Sequence, residues 1–448
     1  MRTVVLRRHI PRPAVRLILG LLTLIAAGTT LLALPWSGAT RRLTISEAGF
    51  TAVSALTTTG LSVIQPSRDL TFFGQIVLLV LMELGAIGFV VLAVTVFRLL
   101  GRRITFAERV ALRDSLGVVD LWAIVRLSRQ VLLGVLAIEG LGALLLWLRW
   151  AGEFGAGRAL FLALFHSVSA FSNASFDLFG GGGATAINPF PADTYTLLVI
   201  ALLIALGSIG IPVIADVLNW RSHPRFTLHT KLTLSIWTIL TVAGTLLVFI
   251  SESQSQAAFS VESPMRRLVL SLFHVIASRT SGFNVHPIDA LAPASVLALM
   301  ALMFIGGSPA STAGGINTGT FGVLVLATSA YVRNADEIRI GRRAISRDSV
   351  HKAVAILVIS TAIVTTGAWL LMVTQGGSLE ASLFEAVSAF ATCGFSLGLT
   401  SNLDGFGRLV VALLMIWGRL GPLTIVVAMT RTRRPSPISY PEERILVG

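Results

Sequence analysis

The chain has 448 residues, 54% of them hydrophobic and only 13% charged, yet it carries a formal net charge of +13. Ordinary soluble domains have about a quarter of their residues charged, and a chain this long and apolar cannot hide its surplus from water. A soluble domain, a disordered or collagen-like chain and a disulfide scaffold are excluded, the last because Cys393 is the sole cysteine; a polytopic membrane protein remains.

Membrane-spanning helices need about 20 mostly apolar residues. That rule predicts eight, at 15–35, 72–100, 121–150, 194–219, 229–250, 294–331, 351–374 and 407–430. Arg2, Arg7, Arg8, Arg12 and Arg16 precede or open the first, and Pro35 and Trp36 follow it. This run exceeds the apolar part of a signal peptide and reads as a retained helix. Each pair of spans encloses a shorter apolar stretch, at 46–57, 159–172, 266–277 and 380–391. These four cannot span, and each runs into small polar residues.

Lys and Arg favour the cytoplasmic side of a membrane. With the N-terminus inside, the cytoplasmic segments are 1–16, 98–129, 216–231, 333–352 and 431–448, and they hold 25 of the 35 basic residues with 9 of the 22 acidic ones. Both termini are predicted to be cytoplasmic. The excess positive charge therefore reports topology, and nucleic acid is not called for.

The short stretches end in related strings: SALTTTGL from Ser54, SAFSNASF from Ser169, ASRTSGF from Ala277 and SAFATCGF from Ser388. Aligned on Gly60, Ser175, Gly282 and Gly394, they lie 115, 107 and 112 residues apart. The expected fold is an all-α polytopic membrane protein of four helix–pore-helix–helix repeats, with eight spans and four re-entrant pore loops around a central ion pore. The units are 1–114, 115–220, 221–345 and 346–448. Non-helical backbone is tolerated at membrane depth only when buried in protein or lining a wet cavity. A half-helix that stops there presents its negative C-terminal end, about half a charge. Rings of carbonyl oxygens replace the hydration shell in potassium filters, so the predicted ligand is a bare monovalent cation.

The residues 306–319, GGSPASTAGGINTG, interrupt what is otherwise one span of nearly forty residues. So many Gly, Pro and Ser residues break a helix. Arg419 stands in an apolar run beside Trp417 and Gly421-Pro422, and an intramembrane charge reads as functional. From the residues alone it is a functional intramembrane charge or the ion-pair partner of a carboxylate such as Glu83. Glu83 and Glu139 read as buried, hydrogen-bonded glutamates rather than ion-coupling sites. His166 and His274 sit at similar places in two short helices, which packing explains better than metal binding.

On the four strings, the 306–319 stretch, Arg419 and the ending YPEERILVG, the chain resembles the Trk/Ktr/HKT superfamily of potassium transporters, and within it the KtrB-type membrane subunits. The resemblance implies K+ bound at a filter of Thr58, Thr59, Gly60, Asn173, Ala174, Ser175, Thr280, Ser281, Gly282, Thr392, Cys393 and Gly394. It also implies a gating loop, of Gly306, Gly307, Ser308, Pro309, Gly314, Gly315 and Asn317, with Arg419 in the pore below the filter. Ser175 departs from the family, which has glycine there, and predicts weaker discrimination against Na+. Asn317 stands where the family often has Lys. Cys393 is expected to be a small filter residue within reach of thiol reagents from outside.

The expected function is a K+ uptake subunit of channel-like permeation, with K+ and also Na+ as candidate ions; a Na+-coupled K+ symporter is the alternative. A membrane-embedded enzyme, suggested by Gly-x-Ser strings and two histidines, does not account for polar groups at four-fold repeated positions. The chain has no phosphate-binding loop, so no nucleotide is expected on it. By resemblance it forms a homodimer in a bacterial plasma membrane, on an octameric cytosolic ring of KtrA-type subunits that bind ATP and ADP. Loops 98–113 and 333–352 are candidate docking surfaces for that ring or for anionic lipid, and Ile445 to Gly448 are expected at the dimer interface.

Overall fold

Within the described residues, each long apolar run of the sequence contains helix. In the computed structural model the described residues are 13–87, 124–179, 193–218, 226–254, 258–309, 311–335, 337–340 and 343–421. The first quarter gives α1 (Pro13–Leu32), α2 (Ile45–Leu56), a single turn α3 (Pro66–Asp69) and α4 (Phe72–Ile87). The second gives α5 (Ile124–Phe154), α6 (Ala156–Phe171), α7 (Thr194–Ile209) and α8 (Ile211–Leu218). In the third are α9 (Leu228–Gln254), α10 (Pro264–Ser278), α11 (Pro293–Phe304) and α12 (Thr318–Val332). The last holds α13 (Arg347–Gln375), α14 (Leu379–Ala391) and α15 (Gly405–Leu420).

Helix starts follow local chemistry. Thr44 and Glu47 form a reciprocal capping box at α2, and Asp193, Ser263, Ser346, Ser378 and Asp404 each accept a backbone N–H from the first turn that follows. Three stretches, Leu132–Phe154, Leu228–Gln254 and Arg347–Gln375, are long and apolar enough to cross a membrane by length and composition. Their outward faces carry exposed Leu144, Leu148, Leu246, Leu247, Val358 and Val373. The interior instead collects fully buried Ser54, Thr57, Ser167, Ser169, Ser278 and Ser388. Apolar outside and hydroxyl-rich inside is the reverse of a water-soluble protein and suits lipid, where small and hydroxyl side chains hold helices together.

The helices pack in a cycle. Within each quarter the first helix lies on the short one: α1 on α2, α5 on α6, α9 on α10 and α13 on α14. Between quarters, α4 meets α6, α7 meets α10, α11 meets α14, and α15 returns to α2.

The expected span 194–219 is not one helix. It breaks at Gly210 (φ +90°) between α7 and α8, and Pro212, which lacks an N–H, comes two residues later. The run 294–331 breaks as expected, between α11 and α12. The expected span 407–430 has a helix to Leu420, with Gly421 at φ +79°, and its residues from 422 on lie outside the described residues. The expected span 72–100 is helical to Ile87, and its remainder lies outside the described residues. So do loop 98–113, Gly180 to Gly183 and the tail Ile445 to Gly448. In the basic 333–352 segment, Arg339–Ile340 pairs antiparallel with Arg343–Ala344.

Candidate functional site

The four short helices end at one place. Beyond each C-terminus, three strings use the same closure: Thr59, Ala174 and Cys393 donate backbone N–H bonds to Ser54, Ser169 and Ser388, at 2.8, 2.9 and 2.9 Å. Closing five residues back turns the intervening residue left-handed, and Thr58, Asn173 and Thr392 have φ of +54°, +59° and +49°. The third string closes only four back, from Ser281 to Ala277 at 2.7 Å.

The strings then touch edge to edge. A Cβ on Gly60 would stand 2.5 Å from the Ala174 carbonyl oxygen, and one on Gly394 would stand 2.2 Å from that of Thr59. Gly282 packs on the Gly394 backbone, where a Cβ would lie 2.6 Å from its carbonyl carbon. The remaining side is closed by Ser175, whose hydroxyl accepts the Gly282 N–H and lies 2.9 Å from the Ser281 hydroxyl. Ser175 holds φ +58°, in the region that costs an L-residue about 1–2 kcal/mol. All twelve predicted filter residues thus gather into one centre, with Thr58, Thr59, Asn173, Ala174, Thr280, Ser281, Thr392 and Cys393 buried.

The helices following three of the strings sit close under the short helices. Gly85, Gly207 and Gly418 lie against the carbonyls of Leu56, Phe171 and Phe390, where a Cβ would stand 2.5, 2.0 and 1.8 Å away. Those carbonyls occupy equivalent positions, four residues before the aligned residue of each string.

In the third quarter the corresponding helix, α11, stops at Phe304, and the 306–319 loop takes the place of its end. Ile305 and Ile316 bridge across its neck, Ser308 donates its N–H to Ser208 O at 2.9 Å, and Thr318 donates to Gly307 O at 2.9 Å. Thr312 lies at the centre of the loop's contacts. Its carbonyl accepts from the Thr58 hydroxyl at 3.0 Å and from Arg419 Nη1. Its own hydroxyl donates to Gly207 O at 3.1 Å and accepts from the Asn173 amide. Nearby, Gly314 N–H donates to the Thr392 hydroxyl at 2.9 Å, and the Thr280 hydroxyl donates to Asn173 Oδ1 at 3.2 Å. The four equivalent residues 58, 173, 280 and 392 therefore belong to one network that holds the loop. Asn317 is the N-cap residue of α12 without a side-chain capping bond, and Gly319 packs against Pro309.

Arg419 donates to two backbone carbonyls, Thr312 O and Gly85 O. It does not pair with Glu83, so the alternative of an Arg419–Glu83 ion pair is set aside. Glu83 and Glu139 face each other across neighbouring helices as a hydrogen-bonded pair of carboxyl groups, as expected of buried glutamates. Among the described residues no other N–H or hydroxyl donor reaches either carboxyl oxygen of Glu83 or Oε1 of Glu139. Cys393 is fully buried, with its thiol directed at Ser278 O at 3.1 Å. The expected reach of outside reagents fails because the third string covers it.

The histidines serve packing. His166 Nδ1 lies 2.7 Å from Leu162 O, its Nε2 accepts the Leu178 N–H at 3.3 Å, and its ring lies 4.6 Å from that of Phe179. His274 repeats the first bond, 2.8 Å from Leu270 O, among Phe259, Phe273 and Phe395. Among the described residues no three His, Cys, Asp or Glu side chains gather as a metal site.

Two buried residues escaped the sequence reading. Glu385 of α14 accepts the hydroxyls of Ser396, at 2.7 Å, and Thr400, so bracing the loop after the fourth string. Arg279 ends α10, is 1% exposed, and donates to Trp237 O at 3.2 Å, Thr241 Oγ1 at 3.4 Å and Gly306 O at 3.0 Å. Its signal was in plain view, as the only charged residue in any of the four strings.

Comparison with known proteins agrees with this geometry. A family model described as "TrkH: Cation transport protein" matches residues 16–438. The chain is 35% identical to Ktr system potassium uptake protein B of Bacillus subtilis, over 96% of both chains. It is 34% identical to the protein of that name from Vibrio alginolyticus, over 91% of this chain and 89% of the relative. Potassium/sodium uptake protein NtpJ of Enterococcus hirae is 30% identical, over 96% of both. In fold, the crystal structure of the potassium transporter TrkH from Vibrio parahaemolyticus superposes with a TM-score of 0.75, at 20% identity, over 95% of this chain and 86% of that one.

Proposed function

Because the chain belongs to the TrkH cation transport protein family, a family of membrane transporters rather than enzymes, we propose that it is the ion-translocating subunit of a potassium uptake system. The four strings form a single filter at the centre of four helix–pore-helix–helix units, 1–114, 115–220, 221–345 and 346–448, and K+ passes through it in a channel-like manner. The observation that carries this reading is the closed circuit of contacts from Gly60 to Ser175, Gly282, Gly394 and back to Thr59. Four helix C-termini converge there, each contributing about half a negative charge, and backbone oxygens are the groups that replace a cation's hydration shell. An inside-negative potential drives the ion with about 2.3 kcal/mol per charge per 100 mV.

The 306–319 loop is the gate. Support comes from its attachment to Thr58, Asn173 and Thr392 at the filter's inner end, and Arg419 is both its latch and a positive barrier. Ser175 lowers discrimination against Na+, because its hydroxyl fills the space a glycine leaves and ties the second string to the third. The relative named for potassium and sodium uptake favours Na+ as a second permeant ion, and coupled Na+/K+ symport is the competing reading. The kinship with Ktr systems supports a partner subunit. We take it to be a KtrA-like octameric ring that binds ATP and ADP, beneath a homodimer of this chain in a bacterial plasma membrane with both termini cytoplasmic.

The test is cation uptake by the purified subunit in liposomes. K+ uptake that persists without a Na+ gradient supports permeation through a filter. Uptake that stops without one supports the symporter.

A further inference from the structure

Arg279 is the feature that the filter and latch leave unexplained. It sits in the position occupied elsewhere by Thr57, Ser172 and Ala391, small residues of which the first two bond back to their own helix. A buried guanidinium is costly unless its donors are satisfied. Among the described residues no carboxylate is within ion-pair distance of it, and its Nε has no partner. Its charge is met by the Trp237 and Gly306 carbonyls, the Thr241 hydroxyl and the Trp237 ring, whose centroid is 5.6 Å away.

The break in the following helix explains why an arginine belongs here. Where a helix stops inside a protein its last carbonyls lose their partners. In a continuous helix the Gly306 carbonyl would accept from the backbone four residues on. With the helix ending at Phe304, it accepts from Arg279 instead. Phe304 O is met by the Ile316 N–H at 3.3 Å. The only string with a charged residue thus lies in the quarter whose following helix stops at Phe304, two residues before the carbonyl that Arg279 holds. Trp237 and Thr241, the other ends of the contact, are on the long unbroken α9.

We propose that Arg279 is the fixed pivot of the 306–319 gate, clamping its first residue to α9, while Arg419 is the releasable latch at its far side. Arg279 is a positioning residue that acts through Gly306. This inference rests on the reading of 306–319 as a gate.

The test uses the full chain in liposomes with a membrane-impermeant methanethiosulfonate applied at the cytoplasmic face, modification being read by mass. Native Cys393 is fully buried and supplies the blank. Two probes report the two ends: Ser308→Cys, whose native hydroxyl has no partner, and Ala313→Cys. Arg279→Gln is expected to raise modification of Ser308→Cys by about tenfold, as for loss of one charge-assisted hydrogen bond, with a much smaller rise at Ala313→Cys. Arg419→Gln is expected to reverse that order and raise K+ uptake. Arg279→Lys, which keeps the charge but cannot span Trp237 O and Gly306 O together, should fall between wild type and Gln at Ser308→Cys, and it is the deciding variant if the Gln form does not assemble. Equal rises at both probes, or none at Ser308→Cys, overturn the pivot. If Arg419→Gln changes neither uptake nor Ala313→Cys, it is the gate reading that fails.

Discussion

The third string and the other three answer the same structural problem differently. Three close five residues back through a left-handed Thr or Asn, and the helix that follows presses a glycine onto the short helix's carbonyl. The third closes four back, carries Arg279, and its following helix stops at Phe304 where the loop begins. Close glycine packing gives a rigid wall, because a backbone-to-carbonyl contact has no side chain to adjust. The third unit gives up that contact and gains a segment held by separable hydrogen bonds. On the proposed reading, three units hold the centre and the third unit's loop is the part that moves.

The largest expected effect tests the rigid side. Gly418→Ala and Gly207→Ala drive a methyl into carbonyls of the short helices, a backbone strain of about 1–3 kcal/mol or more each in a protein with a small stability margin. Loss of monodisperse protein in detergent is the expected result. Gly306→Ala clashes with the loop's own Gly314 carbonyl and meets the Arg279 carbonyl only in ordinary contact at 3.7 Å, so it should fold and alter uptake. Equal melting curves for all three variants would erase the distinction between wall and gate.

Next in size is Arg419→Ala, which removes two charge-assisted hydrogen bonds of about 1.5–3 kcal/mol each from the latch. Liposome K+ uptake should rise by about tenfold, and an unchanged rate would mean that the latch does not limit flux. Smaller again is Ser175→Gly, which makes the second string match the glycine strings. The K+/Na+ permeability ratio should increase by roughly threefold, a change of under 1 kcal/mol. An unchanged ratio would remove Ser175 from selectivity.

The smallest effect concerns the starts of the second helices. The fourth unit's α15 is capped by Asp404, whereas α11 in the third unit begins at Pro293 with no side-chain cap. The Gly407 N–H, at 2.7 Å, and the Gln375 amide hold the Asp404 carboxyl below the usual aspartate range. A lowered folded-state pKa favours the ionised carboxylate, so its stabilisation is complete above the ordinary value, about 3.9. It is lost as pH falls through the lowered value. The melting midpoint of Asp404→Asn should therefore fall less than that of the parent as pH drops from about 5 to 3. Parallel curves would show that the cap carries no charge-dependent stability.

Much of this was legible in the sequence because it depends on run length and repetition. Apolar runs gave the helices, the interval between strings gave their grouping, and the Gly, Pro and Ser content of 306–319 marked the break. What stayed hidden depends on single partners brought from afar. Arg279 means little without Trp237 and Gly306, and Glu385 means little without Ser396 and Thr400. Arg419 had two readings until Gly85 O and Thr312 O were beside it. The split at Gly210 could have been read from Gly210 and Pro212, but the apolar content of 194–219 hid it.

The cyclic packing has a consequence for biosynthesis. α2 completes its surroundings only against α15, helices at opposite ends of the chain. A ribosome inserting this protein has therefore placed three strings in the membrane before the wall between the first and the last exists. A chain cut short before Leu379 keeps most of its apolar mass and lacks α14, the fourth string and α15. Such a fragment could satisfy a membrane and still leave the Thr59 carbonyl without Gly394 against it.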